Sequence, residues 1–177
     1  MSGAWVFVCG ASGAGKDSVI ASAAQSVFVR QDVVFARRLV TRAVHPGSDH
    51  DPVSESDFQL LLRAGSLRWH WQAHGFCYGI AQHYAADVAA GRLVVVNGSR
   101  AHVSELQRSP GLQVVEITAA PDQLAARLTQ RGRDTSNAVA DRLERNRRFA
   151  SMQADCVIVN DAALAVAGQR LADYLAR

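Results

Sequence analysis

The residues best equipped for chemistry cluster near the start of the chain: Gly10-Ala11-Ser12-Gly13-Ala14-Gly15-Lys16, with Asp17 and Ser18 directly after. Glycine, four intervening residues, glycine and lysine is the spacing of a phosphate-binding loop. The glycines let the backbone take positive φ and approach phosphate oxygens closely, while successive N–H groups turn inward to cradle them. A helix opening after the loop adds the positive end of its dipole. Lys16 is the only lysine, every other one of the nineteen cationic residues being arginine. A compact ammonium and a planar guanidinium are not interchangeable, so position 16 selects for the ammonium. Residues 10–18 are therefore candidates for binding the phosphates of ATP. Position 17 departs from the usual hydroxyl. As a hard oxygen ligand, Asp17 suits Mg²⁺, and Ser18 is the second metal candidate. The plainer alternative is that Asp17 is a favourable acid in the first turn of a helix.

Transfer of a γ-phosphoryl group depends on positioning and charge neutralisation, which calls for arginines near the loop. The run Arg127-Leu128-Thr129-Gln130-Arg131-Gly132-Arg133 supplies them. A helix ending at Arg131, with Gly132 permitting a turn, places Arg131 and Arg133 on a short lid at about 131–137. Arg142 and Arg145 share one helix face three residues apart. Lys16, Arg131, Arg133 and Arg142 are the catalytic candidates, while Arg147 and Arg148 fit a solvated surface.

These groups need a scaffold, and the sequence describes an α/β one. Near-continuous apolar runs at 5–9, 93–97, 112–118 and 156–160 read as parallel strands buried on both faces. Helical patterns at 16–27, 84–90, 101–108, 121–131, 138–151 and 162–175 alternate with them. Such a sheet holds ligands at its carboxyl edge. The stretch 41–79, with Trp69, Trp71, Phe76 and Tyr78, breaks the rhythm and reads as an inserted acceptor-binding segment within about 37–80. With 177 residues, 49% hydrophobic, the expectation is one domain over 1–177. A net charge of +3 suits a phosphorylated ligand and falls short of a nucleic-acid-binding polycation. Three cysteines without paired spacing suggest neither disulfides nor zinc. No leader pattern and no apolar run of membrane-spanning length is present, so a cytoplasmic protein is expected, monomer or homodimer.

Gly10 to Lys16, the Arg131-Gly132-Arg133 lid and the 69–79 segment together resemble the guanylate-kinase branch of P-loop kinases over nearly the whole chain. The resemblance implies a P-loop NTPase fold and gives Arg42 and Tyr78, in Gly75-Phe76-Cys77-Tyr78-Gly79, to an acceptor phosphate. The second acceptor arginine of that branch is missing, as are its two guanine-reading carboxylates, whose places hold Trp69 and Val95 or Asn97. Unsatisfied guanine donors would cost about 1 to 3 kcal/mol each, so GMP is a poor acceptor on this reading. Gly10 to Ser18 with Asp17 included, Leu39 to Arg42, and Val96-Asn97-Gly98-Ser99-Arg100-Ala101-His102 are more similar to the ribose 1,5-bisphosphate phosphokinases of phosphonate catabolism. That similarity implies phosphorylation of α-D-ribose 1,5-bisphosphate to 5-phospho-α-D-ribose 1-diphosphate, with ATP, Mg²⁺ and release of ADP. It also implies that Arg38, Arg42, Tyr78, Asn97, Ser99 and Arg100 hold the sugar acceptor, with Arg37 a further candidate. A nucleoside monophosphate kinase and a non-catalytic binding module are the alternatives.

Overall fold

The computed structural model describes residues 3–11, 13–44, 49–107, 109–130 and 153–177. Five parallel strands form the central sheet: β1 (Ala4–Gly10), β2 (Val33–Ala36), β7 (Leu93–Asn97), β8 (Leu112–Thr118) and β9 (Cys156–Val159). Their order across the sheet is β2-β7-β1-β8-β9, which puts β1 at the centre. The loop leaving β1 thus opens between the carboxyl ends of β7 and β8, where a doubly wound sheet binds its ligand. The four runs expected from apolar content are strands here, and β2 joins them as a fifth.

Side chains of β1 alternate between two cores. Val6 and Val8 face helices α1 (Lys16–Ser26) and α6 (Leu164–Leu175), packing with Val19, Ala23, Leu171 and Leu175. These helices meet closely because Gly168 has no Cβ; one placed there would stand 2.2 Å from Ser22 Oγ. Trp5, Phe7 and Cys9 face the other way, into a core shared with Val94, Val96 and Val114. Burial on both faces is what makes these strands read as unbroken apolar runs.

The second face is covered by the segment expected to be an insertion. It forms a smaller sheet in the order β4-β3-β6-β5, from β3 (Leu39–Val40), β4 (Asp51–Pro52), β5 (Leu67–Ala73) and β6 (Phe76–Ala81). Helix α2 (Glu55–Arg63), which the sequence reading left out, precedes β5. Ser54 caps α2 by accepting from the Asp57 N–H at 3.0 Å. The β5–β6 hairpin turns at His74 and Gly75, both at positive φ (54° and 77°), as a two-residue turn between twisted strands requires. Trp69, Trp71 and Tyr78 pack into the core: Trp69 meets Trp5 and Phe7 edge-on, with ring centres 5.8 and 5.5 Å away. Helices α3 (Tyr84–Ala89) and α4 (Arg100–Glu105) flank β7, and α5 (Pro121–Gln130) follows β8. The expected helix at 138–151 and the lid at 131–137 lie outside the described residues.

Candidate active site

Gly10 begins the loop against β8, where a Cβ would lie 2.1 Å from the Ile117 carbonyl oxygen. Gly13 and Gly15 carry φ of 90° and 78°, the left-handed conformations that glycine adopts without strain. Gly15 is also the N-terminal cap of α1, so Lys16 and Asp17 issue from the first turn of a helix whose N–H groups point into the loop. Ser12 lies outside the described residues.

Lys16, Asp17 and Asn97 form a triangle. The ammonium donates to Asn97 Oδ1 at 2.5 Å and to Asp17 Oδ1 at 3.1 Å, and Asn97 Nδ2 donates to the same Asp17 oxygen at 2.7 Å. Burial lowers the Lys16 pKa, against the pull of Asp17. For Asp17, burial works upward but is outweighed by the Lys16 ammonium, the Asn97 amide and Arg38, and its carboxyl is held well below the usual range. Asn97 ends β7, so the central sheet itself fixes the triangle at its carboxyl edge.

A cleft of about 450 Å³ opens beside the triangle. Asp17 and Ser18 of α1, Phe35 of β2, Asn97 of β7, Arg38 and Asp49 are among its walls. Arg38 sits over the Tyr78 ring at 5.9 Å, and its Nε is buried with no hydrogen-bond partner among the described residues. Burial lowers its pKa, opposed by Asp17 and Tyr78. An under-satisfied guanidinium beside a phosphate-binding loop is a natural ligand for a second anion. Arg37 also lines the cleft and is paired with acids: it donates to Asp51 Oδ1 at 2.5 Å and to Asp49 Oδ1 at 2.6 Å.

The remaining acceptor candidates divide. Arg42 lies over Phe76 at 5.6 Å with Nε buried and without a partner among the described residues. Tyr78 is 7% exposed and stacks on Trp71, which stacks in turn on His102. Ser99 caps α4 without a side-chain hydrogen bond. Arg100 is 8% exposed, near enough to Glu116 and Cys9 to oppose the rise that burial imposes on both. Arg42, Tyr78, Ser99 and Arg100 are not among the residues lining the cleft, whereas Arg38 and Asn97 are. Arg131, Arg133 and Arg142 lie outside the described residues.

Sequence reasoning missed Asn160. Its Nδ2 donates to the Ala14 carbonyl at 2.8 Å from beneath the loop, while its own carbonyl accepts from Arg127 Nη2 at 3.0 Å. A polar residue closing the apolar run 156–160 was the signal available.

No family model matches the chain. Among solved structures, it is similar to guanylate kinase from Anaplasma phagocytophilum, with a TM-score of 0.71 at 16% identity over 99% of this chain and 85% of that one. A shikimate kinase from Bacteroides thetaiotaomicron follows at 0.51, with 16% identity over 98% and 99%. Fold and loop define a P-loop kinase of the guanylate-kinase type. In sequence the chain is 44% identical to ribose 1,5-bisphosphate phosphokinase PhnN of Acidiphilium cryptum over 99% of its own length and 94% of the relative's. The corresponding protein of Pseudofrankia inefficax is 43% identical over 96% and 88%. The chain belongs to the ribose 1,5-bisphosphate phosphokinase family.

Proposed function

We propose that the protein transfers the γ-phosphoryl group of ATP to the 1-phosphate of α-D-ribose 1,5-bisphosphate, giving 5-phospho-α-D-ribose 1-diphosphate and ADP. An oxygen of the 1-phosphate forms the new bond to the γ-phosphorus as the bond to the β–γ bridging oxygen breaks, and ADP carries away that electron pair. A phosphate monoester with its second pKa near ~6 is already ionised at neutral pH, so the site needs no general base. The observation that carries this reading is the convergence of Asp17, Asn97 and Arg38 on one cleft, with Lys16 bonded to the first two, in a chain of this family.

Lys16 holds the β- and γ-phosphates from the start of α1, and the loop N–H groups orient them. Arg38 takes an acceptor phosphate on the opposite wall, with Arg42 and Tyr78 behind it and Ser99 and Arg100 further candidates. Arg131, Arg133 and Arg142 are assigned to neutralising the transferring group. The ionised Asp17 carboxylate and the adjacent exposed Ser18 hydroxyl form a hard oxygen donor set that fits Mg²⁺, which takes few protein ligands and completes its shell with phosphate oxygens and water. When bound by Asp17 and Ser18, the metal would supply positive charge against the triphosphate. Cytoplasmic placement is supported by Cys9, Cys77 and Cys156, none of which forms a disulfide among the described residues. Among the described residues, no helix is long and apolar enough to cross a membrane.

The test is an ADP-release assay with ATP and Mg²⁺, comparing ribose 1,5-bisphosphate with GMP and identifying the product by ³¹P NMR. Formation of the 1-diphosphate with GMP inert is expected. Phosphorylation of GMP alone would move the acceptor to the nucleotide class that the fold likeness also allows.

A further inference from the structure

The cleft contains one feature that phosphate binding does not explain. Asp49 lies on its wall with Arg38, on the side facing α1. A carboxylate lining a site for a bisphosphate is repulsive unless the ligand brings hydrogen-bond donors to it. Asp17, the other carboxylate among the lining residues, is bonded through Oδ1 to Lys16 and Asn97 and is accounted for by the metal. Asp49 has a different situation. Its Oδ1 accepts from Arg37 Nη1 at 2.6 Å, Oδ2 has no partner among the described residues, and the side chain is 80% exposed.

Its position is nevertheless fixed. The next residue, His50, is 1% exposed and its Nε2 bonds the Arg42 carbonyl at 3.0 Å, while the Asp51 N–H donates to the Arg38 carbonyl at 2.8 Å. Arg37 lies between Asp49 and Asp51, so the chain uses a whole arginine to hold two acids beside an anion site. An acid retained at such a position is accounted for by donors on the ligand.

We propose that Asp49 determines specificity for the sugar, accepting hydrogen bonds through its open oxygen from the cis 2,3-diol of the acceptor. This rests on the acceptor reading above, because the two ring hydroxyls are the only donors that an ionised ribose 1,5-bisphosphate offers. A site built to pair a hydroxyl rejects an analogue without it more strongly than an apolar site does.

The experiment compares kcat/KM for ribose 1,5-bisphosphate and 2-deoxyribose 1,5-bisphosphate in the wild type, Asp49→Ala, Asp49→Asn and Asp51→Asn. The wild type is expected to prefer the ribose acceptor by on the order of tenfold or more, the scale of one charge-assisted hydrogen bond. Asp49→Ala should bring the ratio to within about threefold, with KM for ATP and the melting temperature unchanged. Asp51→Asn, which removes one of the two acids on Arg37 and leaves the Asp49 carboxylate in the cleft wall, should keep the wild-type ratio. An unchanged ratio in Asp49→Ala overturns the inference, and so does an equal loss in Asp51→Asn, which would route the effect through Arg37. Absence of turnover with either sugar in the wild type overturns the acceptor reading itself, and the inference with it.

Discussion

The side-chain amide of Asn160 donates to the Ala14 carbonyl at 2.8 Å, and the same nitrogen stands 2.6 Å from where a Cβ on Gly15 would project. A residue at the end of β9 thus holds the phosphate loop from below and fills the space that Gly15 leaves. Asn160 is buried, so its loss leaves the Ala14 carbonyl without that partner. Asn160→Ala should cost about 1 to 3 kcal/mol of stability and raise KM for ATP several-fold. Gly15→Ala should be worse, since it adds a positive-φ penalty to the clash. The double variant should recover part of the Gly15→Ala loss, a non-additivity readable by thermal melts. Simple additivity would refute the contact.

Lys16→Ala should abolish phosphoryl transfer and leave circular dichroism and melting temperature close to wild type. Lys16→Arg should not rescue it. The ammonium fits between Asn97 Oδ1 and Asp17 Oδ1 as a point donor, a place a planar fork does not match. Retention of most activity in Lys16→Ala would remove the loop assignment.

Asp17→Ala should raise the Mg²⁺ concentration needed for half-maximal rate, measured by metal titration at saturating ATP. Since Asp17 is held ionised far below the usual carboxylate range, the difference in metal response between wild type and variant should stay constant as pH falls from 8 to about 7, above the phosphate pKa. An unchanged metal dependence in the variant would return Asp17 to the role of an acid at a helix start.

His102 gives an acid-side prediction. Burial, with a smaller contribution from His70, pushes its pKa from 6.5 down to about 4. Between those values the unfolded chain binds a proton that the folded chain refuses, so stability falls as pH drops from about 6.5 to 4 and levels off below. The loss attributable to this group is at most about 3 kcal/mol. His102→Phe, which keeps an aromatic ring against Trp71, should flatten that part of the stability–pH curve measured by urea unfolding at several pH values. An identical slope would place the acid sensitivity elsewhere.

β1 and β7 were readable because they are covered on both sides, which leaves an unbroken apolar run, and β9 kept an apolar run although Val157 and Val159 are exposed. β2 was harder: four residues, Val33–Ala36, lead directly into arginines and carry little pattern. The period-two alternation of Leu67-Arg68-Trp69-His70-Trp71 does announce a strand, and its tryptophans, within a segment that reads as an acceptor-binding insertion, close the second core. Ser54 three residues before Asp57 is a helix-start signal that was available and unused. In the site, Lys16, Asp17 and Asn97 were legible from motif and strand end. Asn160 and Asp49 were not, because each acts across a separation that only the folded chain brings together: Asn160 reaches Ala14 from 146 residues away, and Asp49 matters only once Arg37 turns toward it.

The chain enters the small sheet through a two-residue join, Arg37 and Arg38, since β2 ends at Ala36 and β3 begins at Leu39. Both line the cleft, and neighbouring side chains of an extended join diverge, so one goes to the Asp49–Asp51 pair while the other overlies Tyr78. The join therefore has no slack. Adding or removing one residue would swap the two guanidiniums and slip the small sheet by half a pleat, so anion recognition and the seating of the tryptophans would fail together. Length variation has its outlet at the far end of the same sheet, at the His74–Gly75 turn, where a Cβ on Gly75 meets nothing within 4 Å. The small sheet can be remodelled from its tip, but its root is fixed in length.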